Sequence, residues 1–464
     1  MTPVYEKARA IAERLQAAGA RHCVIVGGYV RDHLMGLTSK DLDLEVFGLD
    51  MEAIIRALRP RFRVDAVGKS FGVLKVGPHI DVSIPRRERK AGRGHRGFAV
   101  EPDPDLDFRT AAARRDFTIN AISMDFDGRI IDPYDGRADL EAGILRATTP
   151  AFAEDPLRVM RGMQFAARLG FTMEPETVAL CRSLYGEFDT LSRERLWEEW
   201  RKWTLGTHPR RGLNVLVETG WIGHFPELAA MMDCSQDPAW HPEGDVFTHT
   251  GHVCDAAVGV AGARGFDEAQ RTVLMLAALL HDIGKPVTTE RNGEGRIVSP
   301  GHAEEGVPLA RAFLNGIKAP GRIVQTVLPL VAEHMTHMSI SDGTRPSRRA
   351  VRRLADRLSP ATIRLWAALV EADASGRPPL DPAAPATPWE AVAEELAMLE
   401  SRPRPLLQGR HLLDMGMTPG PEMGRLLKAA FEAQLDGAFE DVDGALEWAK
   451  GREPESRGTG EPGK

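Results

Sequence analysis

Two aspartates separated by a single residue, Asp41 and Asp43, follow a glycine pair, Gly27 and Gly28, near the start of the chain. If residues 41–46 form a strand, both carboxylates lie on one face, because side chains alternate between the two faces. Neighbouring carboxylates repel each other unless a divalent ion lies between them, and Mg²⁺ favours oxygen ligands and substrate phosphates. Such ions activate an attacking hydroxyl and stabilise a leaving oxygen. The pattern therefore predicts nucleotidyl transfer.

The elements that position these residues follow from the hydrophobic pattern. Residues 22–26 are an apolar, β-branched run that predicts a strand, and residues 30–35 predict the start of a helix. The glycines between them let backbone N–H groups approach a triphosphate, and Arg31 supplies a planar fork of donors. Each motif alone is common in proteins without this chemistry, but their order and spacing together favour it.

More candidate site residues follow along the chain. Residues 71–76 and 79–83 predict a hairpin, on which Asp81 either adds a third catalytic carboxylate or simply ends a strand. In the next polar segment Arg115 suits a phosphate oxygen, whereas Asp116 and Asn120 suit hydroxyl groups.

A helix is predicted to open at residues 154–161, where acidic residues and proline occupy the first turn. Asp155, Arg158 and Arg161 recur at helical spacing and would project from one face. An aspartate beside an arginine can hydrogen-bond the Watson–Crick edge of a base, which would select a nucleotide without a template. An ion pair within the helix is the alternative explanation.

These motifs, in this order, resemble the class II bacterial tRNA nucleotidyltransferases, the CCA-adding enzymes, which belong with the bacterial poly(A) polymerases in the polymerase-β-like superfamily. The matching segments are residues 27–32, 41–43, 114–120, 131–136, 154–158 and 192–199. The resemblance implies template-independent addition of CCA to the 3′ end of tRNA from CTP and ATP, with release of pyrophosphate.

The resemblance also implies a role for each matching residue. Asp41 and Asp43 would hold Mg²⁺, and the triphosphate would contact Gly28, Arg31 and Arg115. The base of CTP or ATP would be read by Asp155 and Arg158, with Arg161 nearby.

Two departures from the family pattern lie near the expected nucleotide pocket. Gln164 stands where many relatives carry arginine, and the alanines at 111–113 replace an acidic residue before the double arginine. A CC-only or A-only enzyme and a poly(A) polymerase therefore stay open as alternatives. The acidic C-terminal tail argues against the last of these.

The second half of the chain predicts a different metal chemistry. The apolar run 274–280 ends in His281 and Asp282, and imidazole and carboxylate both bind divalent ions. With His249 before them and Asp373 after them, this order resembles the HD phosphohydrolase superfamily. The resemblance implies these four residues as metal ligands.

His302 and His334 are candidates for further ligation or phosphate contact, and His252 is expected to be a helix-surface neighbour. A divalent transition metal of the nickel, manganese or cobalt class is the expected ion. Some CCA-adding enzymes carry such a domain and have phosphatase and 2′,3′-cyclic phosphodiesterase activities, which would restore a blocked tRNA end. The alternative is an inherited domain whose centre is inactive.

Composition is that of a globular protein in a reducing compartment. Cysteines are scattered at positions 23, 181, 234 and 254, no apolar run reaches the length of a membrane span, and no signal peptide is evident. A cytoplasmic monomer or homodimer is expected, with no membrane partner.

The net charge of -7 does not exclude RNA binding, because counterion release depends on local patches. One basic loop contains residues 86–90 with Arg93 and Arg96. A second cluster consists of Arg345, Arg348, Arg349, Arg352 and Arg353. Either could contact phosphates, or be a solvated basic face.

The fold class expected is α+β, with a polymerase-β-like nucleotidyltransferase head containing a small mixed sheet, an all-α body and an all-α HD domain. The expected divisions are a head at 1–150, a helical body at 151–225, the HD domain at 226–380, and a linker, helical tail and disordered terminus at 381–464. Trp197, Trp200 and Trp203 are expected in the core of the body. Alternatives of another class are a phosphohydrolase whose transferase half only binds RNA, and a non-catalytic RNA-binding module.

Overall fold

The chain divides into two compact units, residues 1–229 and 230–464. The computed structural model describes residues 3–65, 73–90, 98–340 and 344–452. Part of the predicted hairpin at 71–72, the arginines at 93 and 96, and the tail at 453–464 lie outside the described residues. Within the described ranges, no helix is long and apolar enough to cross a bilayer.

A small mixed sheet forms the centre of the first unit. Its strands and those of two short ribbons are β1 (His22–Val26), β2 (Leu42–Phe47), β3 (Val73–Lys75), β4 (Ile80–Ser83), β5 (Arg86–Lys90), β6 (Phe98–Pro102), β7 (Ser123–Met124), β8 (Ile130–Ile131), β9 (Ile144–Leu145) and β10 (Thr172–Met173). The sheet order is β3-β4-β2-β1-β7-β8, and β5 pairs with β6 and β9 with β10. Within the sheet, β2 runs parallel to β4, and the other neighbours are antiparallel.

Alternation along β1 and β2 decides which side chains face which core. Ile25 of β1 packs with Leu42 and Leu44 in the larger core, whereas Val24 and Val26 pack into a second cluster on the opposite face. Since the leucines of β2 point into the larger core, its carboxylates lie on the other face. The sheet therefore presents Asp43 away from its main hydrophobic core, as the sequence predicts.

Helices surround this sheet and continue into a helical body. They are α1 (Pro3–Ala17), α2 (Gly28–Leu34), α3 (Met51–Leu58), α4 (Phe108–Ala112), α5 (Gly136–Ala142), α6 (Leu157–Leu169), α7 (Pro175–Ser183), α8 (Arg193–Thr204), α9 (Pro209–Glu218) and α10 (Pro226–Ala229). Short 3₁₀ helices span Thr118–Asn120, Pro150–Glu154, Tyr185–Thr190 and Trp221–His224. In the body, α6 packs against α8 and α9.

Tryptophans of α8 form the centre of the body, as predicted. Trp200 and Trp203 are fully buried with edge-to-face rings 5.3 Å apart, and Trp197 is also buried. The indole N–H of Trp203 donates to the carbonyl of Pro209 at 2.9 Å. A base-stacking role for these rings is excluded by their burial.

The second unit is almost entirely helical. Its helices are α11 (Val246–Ala263), α12 (Glu268–Leu280), α13 (Lys285–Thr288), α14 (His302–Gly316), α15 (Gly321–Glu333), α16 (Arg348–Arg357), α17 (Ile363–Ser375), α18 (Thr387–Glu395), α19 (Gly409–Asp414), α20 (Pro421–Leu435) and α21 (Val442–Lys450). A 3₁₀ helix spans His334–Ser339, and β11 (Glu290–Arg291) pairs with β12 (Ile297–Val298). Apolar helix α12 is buried against α11, α15 and α17.

The expected fold class is confirmed by this combination of a mixed-sheet head, a helical body and a helical second unit. The linker predicted at the start of residues 381–464 leads into α18. Trp389 of this helix is buried, with its ring 5.5 Å from that of Trp366. This helix packs on α16 and α17.

Four of the five arginines of the second basic cluster pair with carboxylates. Arg353 lies 2.6 Å from Asp436 and 2.9 Å from Glu432, and Arg352 lies 2.6 Å from Glu440. Arg345 and Arg349 also pair with carboxylates. These acids belong to α20, α18 and the loop after α20, so the cluster attaches the C-terminal helices to α16. In the first cluster, residues 86–90 form strand β5 rather than a loop.

Trp203→Ala is expected to lower the free energy of unfolding of the first unit by about 3–5 kcal/mol, because the change removes a buried indole and leaves a cavity. Trp203→Phe should cost less, since it loses mainly the bond to Pro209. Urea unfolding with hydrogen exchange of the α8 amides measures both. Leu37→Ala, at a side chain that is 52% exposed, is the control and should change stability by less than about 0.5 kcal/mol. An equal loss for Trp203→Ala and Leu37→Ala would contradict the packing.

Candidate functional sites

A cavity of about 890 Å³ in the first unit brings together almost all of the predicted transferase residues. Its lining includes Gly28, Arg31, Asp41, Asp43, Arg115, Asp116, Asn120, Asp155, Arg158 and Arg161. Asp81 is the predicted residue that does not line it. Residues from the head and from α6 and α8 of the body thus contribute to one concave site.

Asp41 and Asp43 place two neighbouring carboxylates at this cavity. Asp43 lies on β2, and Asp41 immediately precedes the strand with its Oδ1 2.9 Å from Nδ1 of His79. Burial raises the pKa of Asp43, and the charges of Asp81 and Asp41 raise it further, whereas Arg115 opposes them. A divalent cation would relieve this repulsion. The donor set therefore fits Mg²⁺.

Asp81 is adjacent to Asp43 but engaged elsewhere. The two are direct partners in the parallel pairing of β4 with β2. The Asp81 carboxylate lies 3.3 Å from Nζ of Lys75 on β3. It adds negative potential near Asp43, and its Oδ1 is the oxygen that contacts the lysine.

The glycine turn is required at Gly27 more than at Gly28. Gly27 has φ of +71°, and a Cβ there would lie 3.1 Å from a guanidinium nitrogen of Arg115 and 3.7 Å from an oxygen of Asp43. The left-handed backbone and the close guanidinium both favour glycine. The turn thereby lets Arg115 approach the carboxylates.

Asp116 organises two arginines of the cavity rather than offering a free acceptor. Its Oδ1 accepts from the backbone N–H of Phe117 at 2.8 Å and from Nδ2 of Asn120 at 2.9 Å, and its Oδ2 accepts from Nε of Arg161 at 2.6 Å. Asn120 in turn accepts from Arg31 at 2.8 Å. Although burial would raise it, the pKa of Asp116 is lowered to about 2 by Arg161 and these hydrogen bonds.

Glu45 is a site residue that the sequence reasoning missed. It is buried on β2, 2.9 Å from Arg114 and 3.8 Å from Arg115. The alternation that pairs Asp41 with Asp43 continues to Glu45, so this signal was available. Glu45 thus pairs with the double arginine, of which Arg115 lines the same cavity as Asp41 and Asp43.

Asp155 and Arg158 do not form the expected pair on one helix. Asp155 precedes α6, which begins at Leu157, and its Oδ2 accepts from Nη2 of Arg195 at 2.7 Å. Arg158 donates to the carbonyls of Ala151 at 2.8 Å and Arg114 at 2.6 Å. The alternative explanation, an ion pair between Asp155 and Arg158 within the helix, is therefore wrong. Arg195, contributed by α8, was missed because no local pattern connects it with a residue forty positions earlier.

The second unit brings the predicted HD residues together. His281 and Asp282 follow the end of α12, with His249 on α11 and Asp373 on α17. Nε2 of His249 lies 3.2 Å from Asp373 Oδ1 and 3.6 Å from Asp282 Oδ2, and Nε2 of His281 lies 3.2 Å from Asp282 Oδ2. All four side chains are buried.

His302 and His334 face the other oxygen of Asp282. Their Nε2 atoms lie 3.3 Å and 3.7 Å from Oδ1, and 3.1 Å from each other. One carboxylate thus lies between two groups of imidazoles. His252, expected at the helix surface, is half-buried on α11.

The donor chemistry of this centre fits a divalent ion. Within the described residues, Nε2 of His281 and both ring nitrogens of His249 are buried and make no hydrogen bond. Burial would raise the pKa values of Asp282 and Asp373, but His281 and Lys285 lower that of Asp282 well below its usual range, and His249 and Arg377 do the same for Asp373. Carboxylate oxygens and imidazole nitrogens are both metal ligands.

Two cations next to Asp282 and Asp373 were not predicted as site residues. Nζ of Lys285 lies 2.7 Å from Asp282 Oδ2 and donates to Gln236 Oε1 at 2.7 Å. Arg377 donates to Asp373 Oδ1 at 2.9 Å. Lys285 lies three residues after Asp282, a helical spacing that could have indicated it.

The fold and the two sites define a polymerase-type nucleotidyltransferase head and helical body followed by an HD metal domain. The family described as "Poly A polymerase head domain" matches residues 23–146, "Probable RNA and SrmB- binding site of polymerase A" matches residues 170–232, and "HD domain" matches residues 246–361.

Relatives and solved structures agree with this class. A multifunctional CCA protein of Alkalilimnicola ehrlichii is 40% identical over 304 residues, which are 64% of this chain and 70% of the relative. The counterpart in Pseudomonas paraeruginosa is 39% identical over 330 residues, or 69% of this chain and 76% of the relative. The chain belongs to the multifunctional CCA protein family.

Solved structures share the fold across nearly the whole chain. The Bacillus stearothermophilus CCA-adding enzyme in complex with CTP has a TM-score of 0.65 at 22% identity, covering 97% of this chain and 98% of that one. The Thermotoga maritima CCA-adding enzyme complexed with tRNA has a TM-score of 0.58 at 17% identity, covering 97% and 96%.

Asp116→Asn is expected to lower stability by about 2–3 kcal/mol at pH 7, because it removes the charge that pairs with Arg161. Since the folded pKa lies below the unfolded value, this contribution is present above about pH 4 and is lost as the pH falls towards 2. Urea unfolding of both proteins should show the difference falling to about half by pH 3. Asp105→Asn, at an exposed ion pair, is the control and should cost less than about 1 kcal/mol at either pH. A difference independent of pH would contradict the charge-based explanation.

Gly284→Ala is expected to disrupt the HD centre without removing a ligand. Its Cβ would lie 2.1 Å from the carbonyl oxygen of His302 and 2.6 Å from the backbone nitrogen of Gly306, so α14 must shift. We expect a loss of about 1–3 kcal/mol in stability and weaker metal binding, measured by thermal unfolding and calorimetry. Gly259→Ala, on the exposed side of α11 with nothing within 4 Å, is the control and should be neutral or stabilising. Equal behaviour of the two variants would contradict the close packing.

Proposed function

We propose that this chain adds CCA to the 3′ end of tRNA, using CTP and ATP and releasing pyrophosphate. The observation that carries the proposal is the single cavity shared by the carboxylates Asp41 and Asp43 and the base-reading candidate Asp155. Membership of the multifunctional CCA protein family supports the same activity.

The chain's own residues divide the work of binding the nucleotide. Arg31 and Arg115 offer guanidinium donors to the triphosphate beside the glycine turn, and their fixed geometry suits phosphate oxygens. Asp116 and Asn120 hold Arg31 and Arg161 at the cavity wall. Mg²⁺ held by Asp41 and Asp43, with Asp81 adding negative charge alongside, would supply activation of the attacking hydroxyl and stabilisation of the leaving oxygen.

Base selection rests on Asp155 held by Arg195. Cytosine and adenine both present an amino donor on the Watson–Crick edge, and a carboxylate accepts from either. Arg195 orients the Asp155 carboxylate by donating to it, while Arg158 is held by two backbone carbonyls. Side chains held in this way can select a nucleotide without a nucleic-acid template.

For the second unit we propose a phosphatase and 2′,3′-cyclic phosphodiesterase activity. The mixed imidazole and carboxylate donors suit a transition metal of the nickel, manganese or cobalt class at His249, His281, Asp282 and Asp373. His302 and His334 would hold a second ion or a phosphate across Asp282. A tRNA end bearing a phosphate has no free 3′ hydroxyl, so this activity would supply the group that the transferase extends.

Asp43→Asn is expected to reduce tRNA extension at least about 1,000-fold, because a metal-ligand carboxylate is lost next to the reacting phosphate. Its 2′,3′-cyclic phosphodiesterase activity should be unchanged. His281→Ala should have the reverse effects. Extension is measured on transcripts ending before the first C, after one C and after both, with CTP and ATP supplied separately.

The same assay distinguishes the alternatives. Extension of only some transcripts would identify a CC-only or A-only enzyme, and long A tracts would identify a poly(A) polymerase. Failure to extend every transcript would refute the transferase proposal. Loss of both activities in either folded variant would refute two separate centres.

A further inference from the structure

The segment at residues 233–245 lies between the matched families, since the RNA-binding match ends at 232 and the HD match begins at 246. It leads into α11, and Asp245 caps that helix by accepting from the backbone N–H of Thr248 at 2.8 Å. The segment also contacts the HD centre: Gln236 binds Lys285, and Glu243 contacts His249. Its position next to the metal ligands calls for a functional explanation.

Glu243 is a buried carboxylate with few partners. Its side chain is fully buried, and Oε1 lies 2.7 Å from Nδ1 of His249 and 2.9 Å from Nδ1 of His241. Within the described residues Oε2 makes no hydrogen bond, and the 2.7 Å approach of Oε1 to Nδ1 of His249 is an ion-pair contact whose angle is not that of a hydrogen bond. Burying a carboxylate is costly unless opposite charge and hydrogen bonds compensate it. The contacts with the two imidazoles therefore compensate part of the cost of burying this carboxylate.

His249 is oriented differently from the other imidazoles of the centre. His281, His302 and His334 each place Nδ1 2.8 Å from a backbone carbonyl, of Ala278, Ser299 and Val331 respectively. Those histidines lie at helix ends, where backbone carbonyls are not all used by the helix. His249 lies inside α11, where the carbonyls take part in helical hydrogen bonds, so an outside acceptor must orient its ring.

We propose that Glu243 is a positioning residue of the HD centre, which holds the His249 ring through Nδ1 so that Nε2 is presented to a divalent cation. Nε2 of His249 already lies 3.2 Å from Asp373 Oδ1 and 3.6 Å from Asp282 Oδ2. A carboxylate on the far nitrogen fixes the ring and makes the near nitrogen a stronger donor to a metal. The inference rests on the proposed metal-dependent function of the second unit.

His241 shares the same oxygen and stabilises Glu243 in this position. Its ring centroid lies 4.7 Å from that of His249, and its side chain is 12% exposed. His241, Glu243 and His249 are also close enough to hold an ion of their own. That alternative predicts a different stoichiometry, because replacing Glu243 would then remove one bound ion instead of weakening a site that keeps its ligands.

Calorimetric titration of the metal-free full-length protein with Ni²⁺ and Mn²⁺ tests the proposal. Glu243→Gln keeps the shape and an acceptor oxygen but removes the charge, so affinity should fall about 10–100-fold with unchanged stoichiometry. Asp237→Asn is the matched control: it lies in the same segment, pairs with Arg296 at 3.2 Å and should bind the metal as the unmodified protein does.

A second readout separates positioning from general destabilisation. The rise in melting temperature on adding metal should be smaller for Glu243→Gln than for the unmodified protein, whereas a purely structural role would lower the metal-free and metal-loaded values equally. Affinity within twofold of the unmodified protein, an equal lowering of both melting temperatures, or loss of one bound ion would each overturn the proposal. If His281→Ala also leaves metal binding unchanged, it is the metal function of the second unit that fails.

Discussion

The buried carboxylate of Asp116 joins the sheet-bearing head to the helical body, and the transferase cavity depends on it. One oxygen holds Asn120 and the other holds Arg161 of α6. Asn120 in turn accepts a hydrogen bond from Arg31, so that Arg31 is held in position as well. An isolated carboxylate in this position would cost several kcal/mol, so the arginine and the amide are held in place by the same electrostatic requirement that keeps Asp116 ionised. The phosphate-type donors are thus positioned before any ligand binds.

The HD centre differs, because buried ring nitrogens there make no hydrogen bond within the described residues. There the backbone orients His281, His302 and His334 through Nδ1, and within the described part of the chain Nε2 of His249 and Nε2 of His281 make no hydrogen bond. Buried polar atoms of this kind are costly unless a ligand satisfies them. Asp282 concentrates the negative charge, with imidazoles near both of its oxygens and Lys285 beside one of them. Asp116 is thus neutralised by an arginine of the protein, whereas Asp282 lies among imidazoles that could share a cation with it.

Sequence patterns indicated contacts between residues that lie close together in the chain better than contacts between distant ones. Alternation along one strand was enough to place Asp41 and Asp43 together, and it would also have indicated Glu45. The apolar run of helix α12 indicated the His281–Asp282 pair at its end. The arginine cluster at α16 was open to two explanations, because its acidic partners lie up to 88 positions away in the sequence. Arg195 was missed for the same reason, since nothing near Asp155 indicates which distant cation will bind it.

By itself, the sequence determined the class of the protein and indicated two kinds of metal chemistry with candidate residues for each, because those signals are local runs of residue types at short spacings. Tertiary structure decided which of these residues are already engaged. Asp116 binds Arg161 and, through Asn120, Arg31. Asp155 binds Arg195 and not Arg158. Asp81 contacts Lys75. Hydrogen-bond partners are chosen by distance in space after the chain has packed, and burial makes an unpaired charge too costly to leave without one.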